Sequence, residues 1–222
     1  LFVAIDLSNV PGKNVNESNT VKPEIVVFDL GKVLVDFDYS IAARRIGAKS
    51  RLTETEMSAY LAESPWLVRY ETGLVGRKEF YEAIRTETGF SGTLEEFSEY
   101  FADIFTEIVP MTVLHAALRS RGVKTYIFSN TNDLAVEHIQ ARFPFFSGFD
   151  GYIYSYEVGA MKPMTPIYEA LEKLTGRRAA QILYIDDREE NIAAGAARGW
   201  HTILQTDPAI TRDGVAKWGL LG

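Results

Sequence analysis

A doubly wound α/β fold, with a mainly parallel Rossmann-like sheet and an inserted α-helical cap, is the architecture this 222-residue chain predicts. Three observations carry that expectation. Short apolar or β-branched runs recur with helical segments between them, the pattern of parallel strands covered on both faces. The alternation stops between about residues 39 and 110, where helical patterns follow one another without a convincing strand. Several apolar runs end on polar residues, and in an open parallel sheet such ends converge on one crevice.

Residues 1–22 read as an N-terminal extension or linker, because the stretch from 9 to 24, "NVPGKNVNESNTVKPE", is rich in Asn, Gly, Pro and Ser and has no periodicity. Within it, "VAIDLSNV" at 3–10 echoes a later motif but leads only into this loop-rich segment, so it is rejected as a site. The expected strands are 25–30 "IVVFDL", 124–129 "KTYIFS", 152–155 "YIYS", 182–186 "ILYID" and 202–205 "TILQ". A helix is marked in "TPIYEALEKLTG", where Thr165 is the expected cap, Pro166 fits the first turn and Gly176 ends the apolar stripe. Residues 23–38 and 111–222 are assigned to the core, and 39–110 to the cap. In the cap, "TETE" at 53–56 and "TLEE" at 93–96 carry the capping-box pattern, Thr followed three later by Glu.

Composition excludes several function classes. A hydrophobic content of 46% is ordinary for a globular domain, and no apolar run is long enough to span a bilayer. The net charge of −7 argues against nucleic-acid or anionic-membrane partners, while leaving room for a small anionic substrate at a local cationic site. There is no cysteine, which removes disulfides and thiolate chemistry and points to a cytoplasmic location. "LFVAI" at the start is shorter than a signal-peptide core and has no basic segment before it, so no leader is expected.

The strand ends supply a coherent set of groups. The first gives Asp29, the second Ser129, Asn130 and Thr131, the loop "GAMKP" gives Lys162, and "YIDDREEN" gives Asp186, Asp187 and Asn191. A carboxylate that attacks phosphorus divides one hard step into two, provided the charge of the phosphate is neutralised. Three aspartates offer oxygen ligands for Mg2+, which suits such sites. Lys162 adds a second positive charge, and Ser129 with neighbouring backbone N–H groups can hold phosphate oxygens.

The ordered set "FDLGKVL", "SNT", "MKP" and "IDDREEN" resembles the four motifs of the haloacid dehalogenase superfamily, over roughly residues 24–206. The resemblance implies a phosphatase-type member, with the segment after the first motif as its helical cap. It implies Asp29 as nucleophile, Lys162 as the residue that orients Asp29 and phosphate, and Mg2+ held by Asp29, the Gly31 carbonyl, Asp186 and Asp187.

One position departs from that pattern. Phosphatases of the superfamily usually carry a second Asp two residues after the nucleophile, as acid and base; here Gly31 stands there. "FDLGKVLVDFD" is similar to a sugar-phosphatase-like branch reading "FDLGNV", with Lys32 in place of its Asn. Two explanations are compatible with activity. Either the substrate has a good leaving group, a sugar 1-phosphate or acyl phosphate, or another acid substitutes, with Asp36, Asp38 or a cap residue as candidates.

The alternatives to a phosphatase of a small phosphorylated metabolite are a metal-independent 2-haloacid dehalogenase and a degenerate member that binds a phosphorylated ligand. His115, His138 and His201 have no metal-ligand spacing and read as structural. The aromatic clusters at 97–105 and 143–149 read as packing. "ETGLVGRKEF" at 71–80 is a candidate specificity loop, although Arg69 and Arg77 are better read as a solvated face.

Overall fold

The computed structural model describes residues 21–221; the echo at 3–10 lies outside the described residues. The chain runs β1 (Ile25–Phe28), β2 (Val35–Phe37), α1 (Tyr39–Gly47), α2 (Glu54–Glu63), α3 (Pro65–Glu71), α4 (Arg77–Thr88) and α5 (Leu94–Ala102). It continues through β3 (Phe105–Glu107), α6 (Val109–Ser120), β4 (Lys124–Ser129), α7 (Asp133–Arg142), β5 (Gly151–Tyr154) and α8 (Ser155–Val158). Last come α9 (Thr165–Thr175), β6 (Ile182–Asp186), α10 (Glu189–Ala197), β7 (His201–Leu204) and α11 (Pro208–Lys217).

Five strands form one parallel sheet in the order β5-β4-β1-β6-β7. Alternation along the strands sends Val26, Phe28, Leu183 and Ile185 to one face, where α6, α7 and α11 add Met111, Leu114, Ile139 and Val215. Ile25, Val27, Ile182 and Tyr184 face the other side and meet Ile167, Tyr168 and Leu171 of α9. Burial on both faces is why these strands read as continuous apolar runs. Strand order reverses between β1 and β6, and a crevice opens at the carboxyl ends of that pair.

The helical insert has an apolar core of its own. Ala42 and Ile46 of α1, Met57 and Leu61 of α2, Phe80 and Ile84 of α4, and Phe97 and Phe101 of α5 pack there. Phe80, Phe97 and Phe101 form a triangle of rings, with centroids 5.7 Å (Phe80–Phe97), 5.8 Å (Phe97–Phe101) and 5.2 Å (Phe80–Phe101) apart. Both capping boxes form, with Thr53 and Thr93 each accepting from the backbone N–H three residues on.

Four details differ from the sequence-based expectations. The span from 39 to 110 does contain a strand, β3, which pairs antiparallel with β2 through Val35–Glu107, Asp36–Thr106 and Phe37–Phe105. This ribbon joins the chain entering the insert to the chain leaving it. Each strand has three residues and carries acidic side chains, too short and polar to show a period-two signal. The first strand stops at Phe28, and Ser155 opens a helix instead of ending a strand. Met164, not Thr165, occupies the N-cap of α9, with no side-chain hydrogen bond, and Thr165 is its first helical residue.

The insert is fastened to the sheet domain beside the crevice. Arg77 pairs with Asp133 (2.7 Å) and Glu137 (2.6 Å) of α7, and the Tyr70 hydroxyl also donates to Asp133. Gly73 adopts φ +72°, and a Cβ there would fall 2.1 Å from the Tyr156 carbonyl oxygen. Only glycine accommodates both that backbone region and that approach.

Candidate active site

The crevice contains a cavity of about 250 Å³ lined from both the sheet domain and the insert. Asp29 follows the last residue of β1 and is buried, as are Lys162 and Asp186. Lys162 Nζ lies 2.9 Å from Asp29 Oδ1 and 2.7 Å from Asp186 Oδ2, and donates to the Phe128 carbonyl at 2.8 Å. One ammonium between two carboxylates leaves the trio one negative charge in excess when both aspartates are ionised.

Each member is held by its neighbours. Asp29 Oδ1 also accepts from the Leu30 N–H at 2.7 Å, whereas no donor among the described residues reaches Oδ2. Asp186 accepts from the Arg188 N–H (2.8 Å), from the Asn191 amide (3.0 and 3.2 Å) and from the Tyr184 hydroxyl. Asn191 is therefore an orienting residue; Arg188, not Asn191, is the N-cap of α10. Asn130 clamps the Lys162 backbone, accepting from its N–H (2.7 Å) and donating to its carbonyl (3.0 Å).

Burial sets the electrostatics. It pushes Asp29 up to about 7, with Lys162 opposing and Asp186 reinforcing the rise. Burial also works against the Lys162 ammonium, yet Asp29 and Asp186 hold it above the ordinary lysine range. Burial and the Asp186 charge raise Asp187, while Lys162 keeps Asp186 ionised despite its own burial. Oxygens of Asp29, Asp186 and Asp187 lie within 4.8 Å of one another. This compact, all-oxygen set fits a hard divalent cation.

Ser129, Asn130 and Thr131 line the cavity, as do Gly31 and Lys32. A Cβ on Gly31 would sit 2.9 Å from the Phe37 ring, so that ring occupies the space a second acid would need. Asp36 pairs with Lys32, and Asp38 caps α1 through the Ser40 N–H; neither lines the cavity. His115 stacks on Phe149 at 3.8 Å between centroids, and the other two histidines also lie outside the cavity. Arg69 packs over Trp66 at 4.8 Å, and Arg77 is engaged by α7.

Four contributors escape a reading of the sequence for charged strand ends. Tyr184 shares a strand face with Asp186, a period-two relation that was visible in "YID". Ser155 binds the Thr131 backbone and donates to the Glu71 carbonyl. Phe37 walls the cavity, and Glu71, at the end of α3, contributes a carboxylate to its lining.

The model of the haloacid dehalogenase-like hydrolases matches residues 23–199. A D-ribitol-5-phosphate phosphatase of Bacteroides thetaiotaomicron is 25% identical over 189 residues, spanning 80% of this chain and 89% of the relative. A sesquiterpene phosphatase of Aspergillus oryzae is 24% identical over 188 residues, spanning 83% and 91%. A solved haloacid dehalogenase-family enzyme of Bacteroides thetaiotaomicron, in complex with magnesium and inorganic phosphate, superposes with a TM-score of 0.72. That structure shares 22% identity, covering 82% of this chain and 93% of its own. With the family model spanning most of the sequence and the fold alike, the chain belongs to the haloacid dehalogenase-like hydrolases.

Proposed function

We propose that the protein is a Mg2+-dependent phosphomonoesterase acting on a small phosphorylated metabolite, such as a sugar or sugar-alcohol phosphate, through an aspartyl phosphate on Asp29. The observation that carries this reading is Asp29 itself, with Oδ1 fixed by Lys162 and Leu30 and Oδ2 left without a protein donor beside two further aspartates. The phosphatase relatives and the neighbour solved with magnesium and phosphate support it. Residues 39–110 serve as the cap that covers the site and excludes water. Among the described residues no helix is long and apolar enough to cross a membrane.

Asp29, Asp186, Asp187 and the Gly31 carbonyl would hold the cation. Bound there, it would neutralise charge on the phosphoryl group and on the attacking carboxylate. Lys162 orients Asp29 and adds positive charge toward the phosphoryl oxygens. Ser129, Asn130 and Thr131 hold those oxygens, Asn130 through its backbone because its side chain is committed to Lys162. Asp29 attacks phosphorus, the ester bond breaks, and water then attacks the phosphorus of the aspartyl phosphate to return the free carboxylate.

The dehalogenase alternative, in which Asp29 attacks carbon, has no task for a second and third carboxylate beside a carboxylate substrate. A panel of phosphate monoesters assayed with Mg2+, with EDTA and with Asp29→Asn separates the readings. Orthophosphate release that requires Mg2+ and Asp29 is expected. Halide release from a 2-haloacid in EDTA would overturn the proposal, as would phosphate release undiminished in Asp29→Asn.

A further inference from the structure

We propose that Glu71, delivered by the insert, donates a proton to the leaving oxygen and then takes one from the attacking water, the work that Gly31 cannot do. The inference rests on the phosphatase reading and adds a catalytic residue to it.

General acid–base chemistry needs a group at the cavity that can carry a proton and give it up near neutral pH. Asp29, Asp187 and Lys162 belong to the nucleophile and cation cluster. Lys32 is tied to Asp36, and Arg188 pairs with Glu190. Tyr39 is held protonated by burial and by the nearby Glu71, so it cannot accept the proton of a water. Glu71 remains, half-buried on the insert side of the cavity, with no salt-bridge partner among the described residues. Burial pushes its carboxyl up to about 7, against the pull of the Asn132 amide.

Its position is built. Ser155, fully buried, donates to the Glu71 carbonyl and contacts the N–H and carbonyl of Thr131, so one hydroxyl fixes Glu71 relative to the phosphate-facing loop. Asn132 caps α7 through its Oδ1, accepting from the Ala135 N–H at 3.0 Å, which leaves its amide protons for the Glu71 side. Gly73 against Tyr156 and Tyr70 with Asp133 anchor the residues on either side. Glu71 is therefore held at the mouth by both halves of the molecule.

The steps balance. Asp29 oxygen bonds to phosphorus, the phosphorus–ester oxygen bond breaks, and the Glu71 proton passes to that oxygen, releasing an alcohol. Water then attacks phosphorus, its proton passes to the Glu71 carboxylate, and the bond from phosphorus to Asp29 breaks, releasing orthophosphate.

The test compares 4-nitrophenyl phosphate, whose leaving group needs little protonation, with phenyl phosphate, whose leaving group needs more. In rapid mixing, Glu71→Gln should leave the rate of the 4-nitrophenol burst within about threefold, lower the rate of phenol release from phenyl phosphate by about tenfold or more, and slow release of orthophosphate from the aspartyl phosphate equally whichever ester formed it. Glu71→Ala should regain phenyl phosphate turnover when formate is added. Equal losses in the leaving-group step on both esters, no loss in that step on either, or an aspartyl phosphate that hydrolyses as fast as in the wild type would overturn the assignment. A wild-type enzyme inactive on both esters with Mg2+ would instead overturn the phosphatase reading, so the two failures are distinguishable.

Discussion

Replacing Lys162 by Met removes the ammonium in contact with two buried carboxylates, and the structure sets the size of the penalty. The side chain is 1% exposed, with Asp29 at 2.9 Å and Asp186 at 2.7 Å. At an effective dielectric of about 20, each such pair corresponds to roughly 6 kcal/mol of Coulomb attraction. Desolvation offsets much of this, but removing one partner of a buried pair leaves the other uncompensated, at a net cost of about 3–5 kcal/mol. For a protein of this size each kcal/mol lowers Tm by about 2–4 °C, so Lys162→Met should melt about 6–20 °C lower. The assay is thermal unfolding by circular dichroism in EDTA, so that no cation replaces the ammonium. Because the penalty is a stranded charge, adding Asp29→Asn should return part of it, a coupling of about 1–3 kcal/mol. A Tm change under about 3 °C, or strictly additive effects, would refute Lys162 as the counter-ion of this cluster.

Three other outcomes follow from the same geometry. Gly31→Asp should not raise turnover and should cost about 1–3 kcal/mol in a thermal melt, because its Cβ meets the Phe37 ring; a tenfold gain in activity would contradict this. Lys32 adopts φ 57°, a region that asparagine tolerates and β-branched residues resist. Lys32→Asn should therefore melt at or above wild type and Lys32→Val about 1–2 kcal/mol below it; the reverse order would refute the strain. Burial, helped by Arg119 and opposed by Asp150, lowers His115 to about 4. Between there and the unfolded value near 6.5 the unfolded chain binds a proton that the native one does not, so stability rises with pH through that window. This contribution is complete above about 6.5 and is lost on acidification, about 2–3 kcal/mol in all. His115→Phe should flatten that acid limb in chemical denaturation series, and an unchanged slope would contradict it.

Asp29, Lys162 and the pair Asp186 and Asp187 are legible in the sequence because each sits at, or in the loop after, an apolar run, and strand ends in a parallel sheet share a crevice. Other features arise only in three dimensions. The β2–β3 ribbon escapes because three-residue strands containing Asp36 and Glu107 carry no period. Glu71 opens the stretch 71–80 that the sequence marks as a candidate specificity loop, but nothing in the sequence singles out its carboxylate; its placement comes from Ser155 and Asn132, which the fold brings from α8 and the start of α7. Asn191 invites a capping reading, and only the observed hydrogen bonds to Asp186 give its orienting part. Gly31 looks like a missing acid in sequence and, in the structure, like the space taken by Phe37.

The central claim is that Asp29 carries the phosphoryl group during turnover. Mass spectrometry of the Asp29 peptide after rapid acid quench tests it most directly, with wild-type enzyme, Mg2+ and 4-nitrophenyl phosphate. The account predicts a phosphoryl group on Asp29 during turnover and none in Asp29→Asn. Steady phosphate release with no phosphorylated peptide, or with the group on another residue, would contradict it.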